Sequence, residues 1–195
     1  MGHIADLDLL LSRQSVSPRL LEEPVPSEAE LERAFQVALH APDHGGLQPW
    51  RFRIVRGESR NKLGDLYAEA LKRKTPDATE QQIEAARQKP LRAPMVIVVL
   101  AKITTNNPKV PPIEQIVSAG AALQNMLNCF HAMGYGAMLV TGVPAYDEGV
   151  RGAFGLAEED ALIGFLNVGT VADMPALRER KAPAGFVEEW SGPVA

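Results

Sequence analysis

The most constraining stretch of the chain is Met95-Val96-Ile97-Val98-Val99-Leu100-Ala101, seven consecutive apolar residues with no polar alternation. A strand with one wet face alternates polar and apolar side chains, so a run without alternation has to be buried on both faces. Seven residues also fall far short of the roughly 20 needed to cross a bilayer. The run therefore predicts a central strand, and such a strand demands a layer of structure over each of its faces. Helices are available for this. Ile113 to Met133 is apolar nearly all round, with Ala119-Gly120-Ala121-Ala122 at its middle and Leu123, Met126, Leu127 and Phe130 beyond. That is the pattern of a helix packed closely on several sides. Two readings stand for it: a core helix, or a core helix that also meets a second subunit.

The remaining elements follow from the same periodicities. Ile4 to Arg13 places Leu7, Leu10 and Leu11 at helical spacing, and Gln14-Ser15-Val16-Ser17-Pro18 ends that helix. Ser27 and Glu30 stand in capping-box register ahead of Leu31, Ala34, Phe35, Ala38 and Leu39, so a second helix starts there and stops near Ala41, before Pro42. Trp50 to Arg56 alternates and predicts a strand with one buried face. Polar helices are expected over Ser59 to Lys74 and over roughly Asp77 to Lys89, the latter peripheral. Ala137 to Val140 and Leu162 to Val168 predict two further buried strands, with a short helix over Tyr146 to Phe154 between them. Residues 172–195 are rich in proline and charge and read as an arm laid over a surface. The connections are too irregular for a βαβ series. The expected class is α+β: a central mixed sheet flanked by helices in a single domain, with a lid near 62–89 and a C-terminal arm near 172–195.

Charge and motifs exclude several functions. Twenty basic against 24 acidic side chains give a net charge of -4 without a Lys/Arg cluster, a poor basis for binding nucleic acid or an anionic membrane. Asp6 and Asp8 interrupt the apolar N-terminal stretch and no basic leader precedes it, so it is a poor signal peptide and a cytoplasmic location is expected. One cysteine, Cys129, cannot form a disulfide framework, and its apolar helical setting fits a packed thiol. His40 and His44 have the spacing of a metal pair, but Pro42 lies between them and nothing completes a ligand set, so no metal is expected. There is no P-loop and no nucleophile elbow, and no residue offers itself as a protein-borne catalytic group.

Two segments are unusual. In Ser12-Arg13-Gln14-Ser15-Val16-Ser17 a cation, an amide and hydroxyls crowd where the chain leaves a helix; such a set can hold a phosphate or polyol, or it can be an ordinary polar helix end. Ala41-Pro42-Asp43-His44-Gly45-Gly46-Leu47-Gln48-Pro49-Trp50 is an irregular loop that could bring N–H groups and side chains to a ligand, or could be a rigid structural turn.

Together these segments resemble the nitroreductase family of FMN-dependent oxidoreductases, which carries an Arg-x-Ser motif after its first helix and Ala-Pro-(Ser or Asp)-x-x-x-x-Gln-Pro-Trp about thirty residues later. The likeness continues in order through Arg92-Ala93-Pro94 with the strand after it, the Ser118 to Asn125 helix, Gly134-Tyr135-Gly136-Ala137, and Val168-Gly169-Thr170 followed by Arg178 and Arg180. The resemblance implies a homodimer with FMN at the subunit interface. Arg13, Gln14 and Ser15 would then bind phosphate and ribityl chain, with Gln14 standing where an arginine is usual. His40 and His44 would reach the flavin from the second subunit, Leu139, Val140 and Thr141 would line the ring, and Arg178 or Arg180 would meet the phosphate. It further implies a ping-pong reaction in which NAD(P)H reduces the flavin and a nitroaromatic or quinone-like acceptor is then reduced. Relatives on the fold that dehalogenate or fragment flavin supply an alternative, and a non-catalytic flavin-binding dimer another. A flavin would explain the missing catalytic side chains, because the cofactor carries the chemistry while the protein orients and tunes it.

Overall fold

The computed structural model describes residues 4–193. The run that anchors the sequence reading is strand β3, Met95–Ala101, and every residue in it is buried. It lies between β2 (Trp50–Arg56) and β5 (Ala161–Val171), and β5 also pairs with β4 (Gly136–Val140) and, at its end, with the two-residue β1 (Leu21–Glu22). The expected mixed sheet is instead antiparallel in every pairing among the described residues. Helices connect the strands; β3 and β4 both run antiparallel to β5, so the helix over Pro112–Ala132 joins two strands of the same sense with β5 between them, and no two neighbouring strands among the described residues are parallel. β1 has no counterpart in the sequence reading, since two residues are too few for a period to show.

Alternation along β3 assigns the two layers. Met95, Ile97 and Val99 point to one face, where α2 (Glu28–Ala38) and α5 (Pro112–Ala132) cover them with Leu31, Ala34, Ala38, Ala119, Ala122, Met126 and Phe130. Val96, Val98 and Leu100 point to the other, under Leu63, Tyr67 and Ala70 of α3 (Ser59–Lys74). Full burial of each large apolar side chain contributes about 1.5–3 kcal/mol, so both layers are required. α2 begins as expected: the Ser27 hydroxyl accepts from Glu30 N–H, and the Glu30 carboxylate accepts from Ser27 N–H. α4 (Glu80–Arg87) opens with the same device, made by Thr79 and Gln82.

Two local expectations change. β2 is an outer strand of the sheet, so its apolar alternation is only partly covered: Phe35 reaches Phe52 at a ring separation of 5.4 Å, while Ile54 remains exposed. The helix expected over Tyr146 to Phe154 is two short ones, α6 (Val143–Tyr146) and α7 (Glu148–Ala153). Asp147 between them is extended, and its carboxylate caps α7 by accepting from Val150 N–H at 2.9 Å. α1 (Ile4–Ser12) packs against α5, and Ser12 Oγ lies 3.0 Å from His131 Nε2. The chain after β5 carries one short 3-10 turn and is exposed along most of its length. No helix among the described residues is long and apolar enough to cross a membrane.

Candidate functional site

The segment after α1 runs beside β4. Val16 N–H donates to Ala137 C=O at 3.1 Å, and Gly136 sits where a Cβ would approach Leu21 Cδ2 and Val171 Cγ2 to 2.6 Å, so only glycine allows this crossing. The bond has a further consequence. Alternate residues of an antiparallel strand share an edge, so the N–H and C=O groups of Leu139, and the N–H of Thr141 just past the strand end, lie on the same outer edge as Ala137 C=O. No backbone partner meets them there among the described residues. The chain then leaves β4 through Gly142 (φ 74°, ψ -163°), a conformation strained for any other residue, and enters α6.

At this end of β4 a cavity of about 280 Å³ opens on the α3 side of the sheet. Its floor is Val96, Asn167 and Val140. One wall is Tyr67 and Leu71 of α3 with Ala86, Lys89, Pro90 and Arg92; the other is the turn from Thr141 to Pro144, and Pro18 closes the edge. The lining is apolar apart from a few polar groups, the usual make-up of a small-molecule site. Lys89 and Arg92 place two cations at its rim. Burial pushes the Tyr67 phenol well above its ordinary range, so it stays neutral, and its ring meets Phe165 edge-on at 5.0 Å.

The two walls are tied together outside the cavity. Arg73, in the last turn of α3, donates Nε to Asp147 Oδ2 at 2.9 Å and Nη2 to Asp147 Oδ1 at 2.6 Å. These bonds hold the Asp147 carboxyl below the usual carboxylate range against the opposing effect of burial. A Cβ on Gly149 would come within 2.6 Å of Arg73 Nη2, so glycine makes room for the guanidinium.

The expected site residues fall in three places. Val140 and Thr141 line the cavity, whereas Leu139 alternates to the α5 face of the sheet. Arg13 and Gln14 are half-buried and Ser15 exposed at the start of β4, beside a second hollow of about 320 Å³ bounded by Ser12, Gln14, His131, Met174 and Leu177. Gln14 is engaged by the C-terminal arm: its Nε2 donates to Pro175 C=O at 2.8 Å and its Oε1 accepts from Arg178 N–H at 3.2 Å. Arg178 and Arg180 are exposed, and the guanidinium of Arg13 has no hydrogen-bond partner among the described residues. His44 stands next to the start of α5, with its Nδ1 2.7 Å from Glu114 Oε2, and His40 is exposed just past the end of α2. A single chain thus unites Gln14 with the arm and Val140 with Thr141, and leaves the histidines apart from both.

Sequence reasoning missed Tyr67, Lys89, Arg92 and Asn167. Tyr67 and Lys89 fell inside the expected lid and Arg92 opened a motif read for its turn. Asn167 carried a visible signal, as the single side chain with a polar group in the run from Leu162 to Val168. The lone Cys129 is half-buried and burial raises its thiol pKa, opposed by the charge of Arg33. Among the described residues no three His, Cys, Asp or Glu side chains gather as a metal site would require.

Comparison with known proteins places the chain. The model of the nitroreductase family matches residues 10–170. The Escherichia coli K12 protein named "Putative NAD(P)H nitroreductase YdjA" is 37% identical over 164 residues, covering 84% of this chain and 87% of that one. A nitroreductase-like family protein from Bacillus cereus superposes with a TM-score of 0.81 at 21% identity, over 98% of this chain and 99% of that one. A variant of NfnB, described as an FMN and NADPH-dependent nitroreductase, superposes with a TM-score of 0.71 at 20% identity, over 96% and 99% of the two chains. The solved structures share the fold. The family match spans most of the sequence, and the chain belongs to the nitroreductase family.

Proposed function

We propose that the protein is a homodimeric, cytoplasmic FMN-dependent oxidoreductase that passes hydride equivalents from NAD(P)H to nitroaromatic or quinone-like acceptors by a ping-pong mechanism. The observation that carries this reading is the cavity beside the open outer edge of β4, with Lys89 and Arg92 at its rim. Its donor set fits FMN. The phosphate needs cations, and Arg13 offers a guanidinium with no protein partner among the described residues at the start of β4. The heterocycle needs an apolar slot and edge partners, and Val140, Tyr67, the free N–H and C=O groups of Leu139 and the N–H of Thr141 supply them. When bound, FMN supplies the hydride chemistry itself.

Each residue then has a task. Arg13 and Ser15 hold the phosphate and ribityl chain. Gln14 orients the arm that carries Arg178 and Arg180 toward the same end. Leu139 and Thr141 present backbone groups to the ring, and Val140 packs against it. Lys89 and Arg92 stabilise the negative charge that accumulates at the pyrimidine edge on reduction. Because reductant and acceptor would share one cavity mouth, they take turns, which is the structural support for ping-pong kinetics.

A second copy is part of this reading. On α5, Ile113 and Val117 are each 63% exposed in a hollow lined also by Pro42 and Ala121. Leu7, Leu10 and Leu11 of α1 and Phe186 and Trp190 of the arm are exposed as well. A lone chain rarely shows so much apolar surface. Covering the start of α5 with a second copy brings His40 and His44 into an interface, as their assigned role requires. Folding, dimerisation and FMN binding are then linked by mass action.

The test is direct. Purified protein should be yellow, and anaerobic NADH or NADPH should bleach it; colourless protein that takes up no added FMN refutes the reading. Initial rates against varied acceptor at several fixed NAD(P)H concentrations should give parallel double-reciprocal lines. Arg13→Ala should weaken FMN binding about tenfold or more while unfolding of the flavin-free protein changes little, since a charged hydrogen-bonded pair is worth about 1.5–3 kcal/mol. Unchanged flavin affinity would remove Arg13 from the site.

A further inference from the structure

Asn167 is the unexplained group in the cavity. It sits at the middle of β5, 3% exposed, opposite Val96 on β3 and Met138 on β4. Asparagine is disfavoured in strands, and a buried amide costs stability unless its hydrogen bonds are made. Half of them are. Nδ2 donates to Phe165 C=O at 3.2 Å and to Met138 C=O at 3.4 Å. Oδ1 has no partner among the described residues, yet every fully enclosed side-chain polar atom there has one. Oδ1 is therefore the part of the side chain that the cavity reaches, on a floor otherwise made by Val96 and Val140. A purely structural role does not account for this choice, because leucine of similar volume would pack between Val96 and Met138 with no polar group to satisfy.

We infer that Asn167 is a ligand-contacting specificity residue, whose Oδ1 accepts a hydrogen bond from an N–H group of the molecule bound in the cavity. This rests on the flavoenzyme reading above, which offers two sources of a planar N–H donor. One is the imide N–H of the flavin ring, flanked by two carbonyl oxygens; the other is the carboxamide of the nicotinamide. The Nδ2 bonds to Phe165 and Met138 fix the side chain, so the acceptor is held in place before any ligand arrives.

The test starts from wild-type protein that is yellow and bleached by NAD(P)H, which separates failure of the flavoenzyme reading from failure of this one. Asn167→Leu should unfold close to the wild-type temperature when flavin-free, since the Phe165 and Met138 carbonyls that it releases lie within the β4–β5 ladder and keep backbone partners there. Its FMN dissociation constant, read by quenching of flavin fluorescence, should rise about tenfold if the imide is the donor. If the carboxamide is the donor, FMN affinity holds and the dissociation constant for NAD(P)H, read by the rate of anaerobic bleaching against nucleotide concentration, rises instead. Loss of neither overturns the inference, and so does a flavin-free protein that is itself destabilised with ligand affinities intact. Wild-type protein provides a version without mutation. N3-methyl FMN lacks the imide N–H, and the 3-acetylpyridine analogue of the reduced nucleotide lacks the carboxamide N–H. One of the two should bind about tenfold more weakly than its parent, with that penalty abolished in Asn167→Leu; equal binding of both analogues also overturns the inference.

Discussion

The two faces of the sheet share the same two central strands, β3 and β5, and are packed differently. On the α5 face, alternate residues of β3 meet small and large side chains in turn, Ala119 and Ala122 beside Met126 and Phe130, and the layer closes over β3; a hollow of about 520 Å³ opens further out, where Phe35 and Leu39 face the outer strand β2. It also leaves Ile113 and Val117 open outward. On the α3 face the covering helix is more polar and reaches the sheet through Leu63, Tyr67 and Ala70, and at the end of β4 it stands off far enough to leave the cavity. The first face is closely packed over β3, while on the other the packing stops short and leaves the cavity against Val96, Val140 and Asn167. Interiors filled at crystal density leave no room for a ligand, so the site has to form where a layer ends.

The largest effect should come from emptying each core. Phe130→Ala and Phe165→Ala each remove a fully buried ring and should cost about 3–5 kcal/mol in denaturant unfolding of the flavin-free protein. Their consequences for FMN should differ. Phe165 supports the edge-on Tyr67 wall, so only Phe165→Ala should weaken flavin binding beyond what the lost stability explains; equal weakening in both variants would erase the distinction between the faces. Next in size is Val117→Asp on the outer stripe of α5. It should raise the dimer dissociation constant about a hundredfold, or about 2.7 kcal/mol, by sedimentation analysis, while leaving the monomer fold intact. An undiminished dimer would move the interface elsewhere.

Smaller changes probe the tie between the cavity walls. Arg73→Met removes the fork on Asp147 and should lower stability only slightly, because half of the arginine side chain is in water and the pair is screened. Amide exchange should accelerate in α6 and α7 and stay unchanged in α5; a uniform acceleration would mean that the tie is not local. Acid should do the same more gently. The Asp147 carboxyl is lowered chiefly by Arg73, so its contribution to stability is present above the ordinary carboxylate value of about 4 and disappears as pH falls through the lowered folded value. Protection factors in α6 and α7, with the intrinsic pH dependence of exchange divided out, should therefore fall only below about pH 4 in wild type, and should lose that response in Asp147→Asn, which keeps the helix cap.

Most of the fold was legible because its signals are local. The alternation of β2, the unbroken run of β3, the small-residue helix α5 and the capping box at Ser27 each follow from neighbours within a few positions. Strand direction was not legible: a mixed sheet was expected and an antiparallel one formed, because pairing is decided between residues far apart in the chain. The site was legible in part. The family resemblance singled out Leu139, Val140 and Thr141 at a strand end and Gln14 in a motif; of these, Val140 and Thr141 line the cavity. Tyr67, Lys89 and Arg92 lie in a polar stretch with no pattern of its own and acquire a role only from the strand end they face. Gln14 shows the same limit in reverse, since its bonds to Pro175 and Arg178 could not be read from the residues around it.

By itself, the sequence determined that this chain has a strand buried on both sides and helices to cover it. Periodicity and residue chemistry carry that information one residue at a time. The tertiary structure decided which face closes over β3 and which keeps the cavity, that Leu139 and Val140 part to opposite sides of the sheet, and that Asn167 turns an acceptor toward open space. Those outcomes depend on where distant segments come to rest against each other, and packing settles that for the whole chain at once.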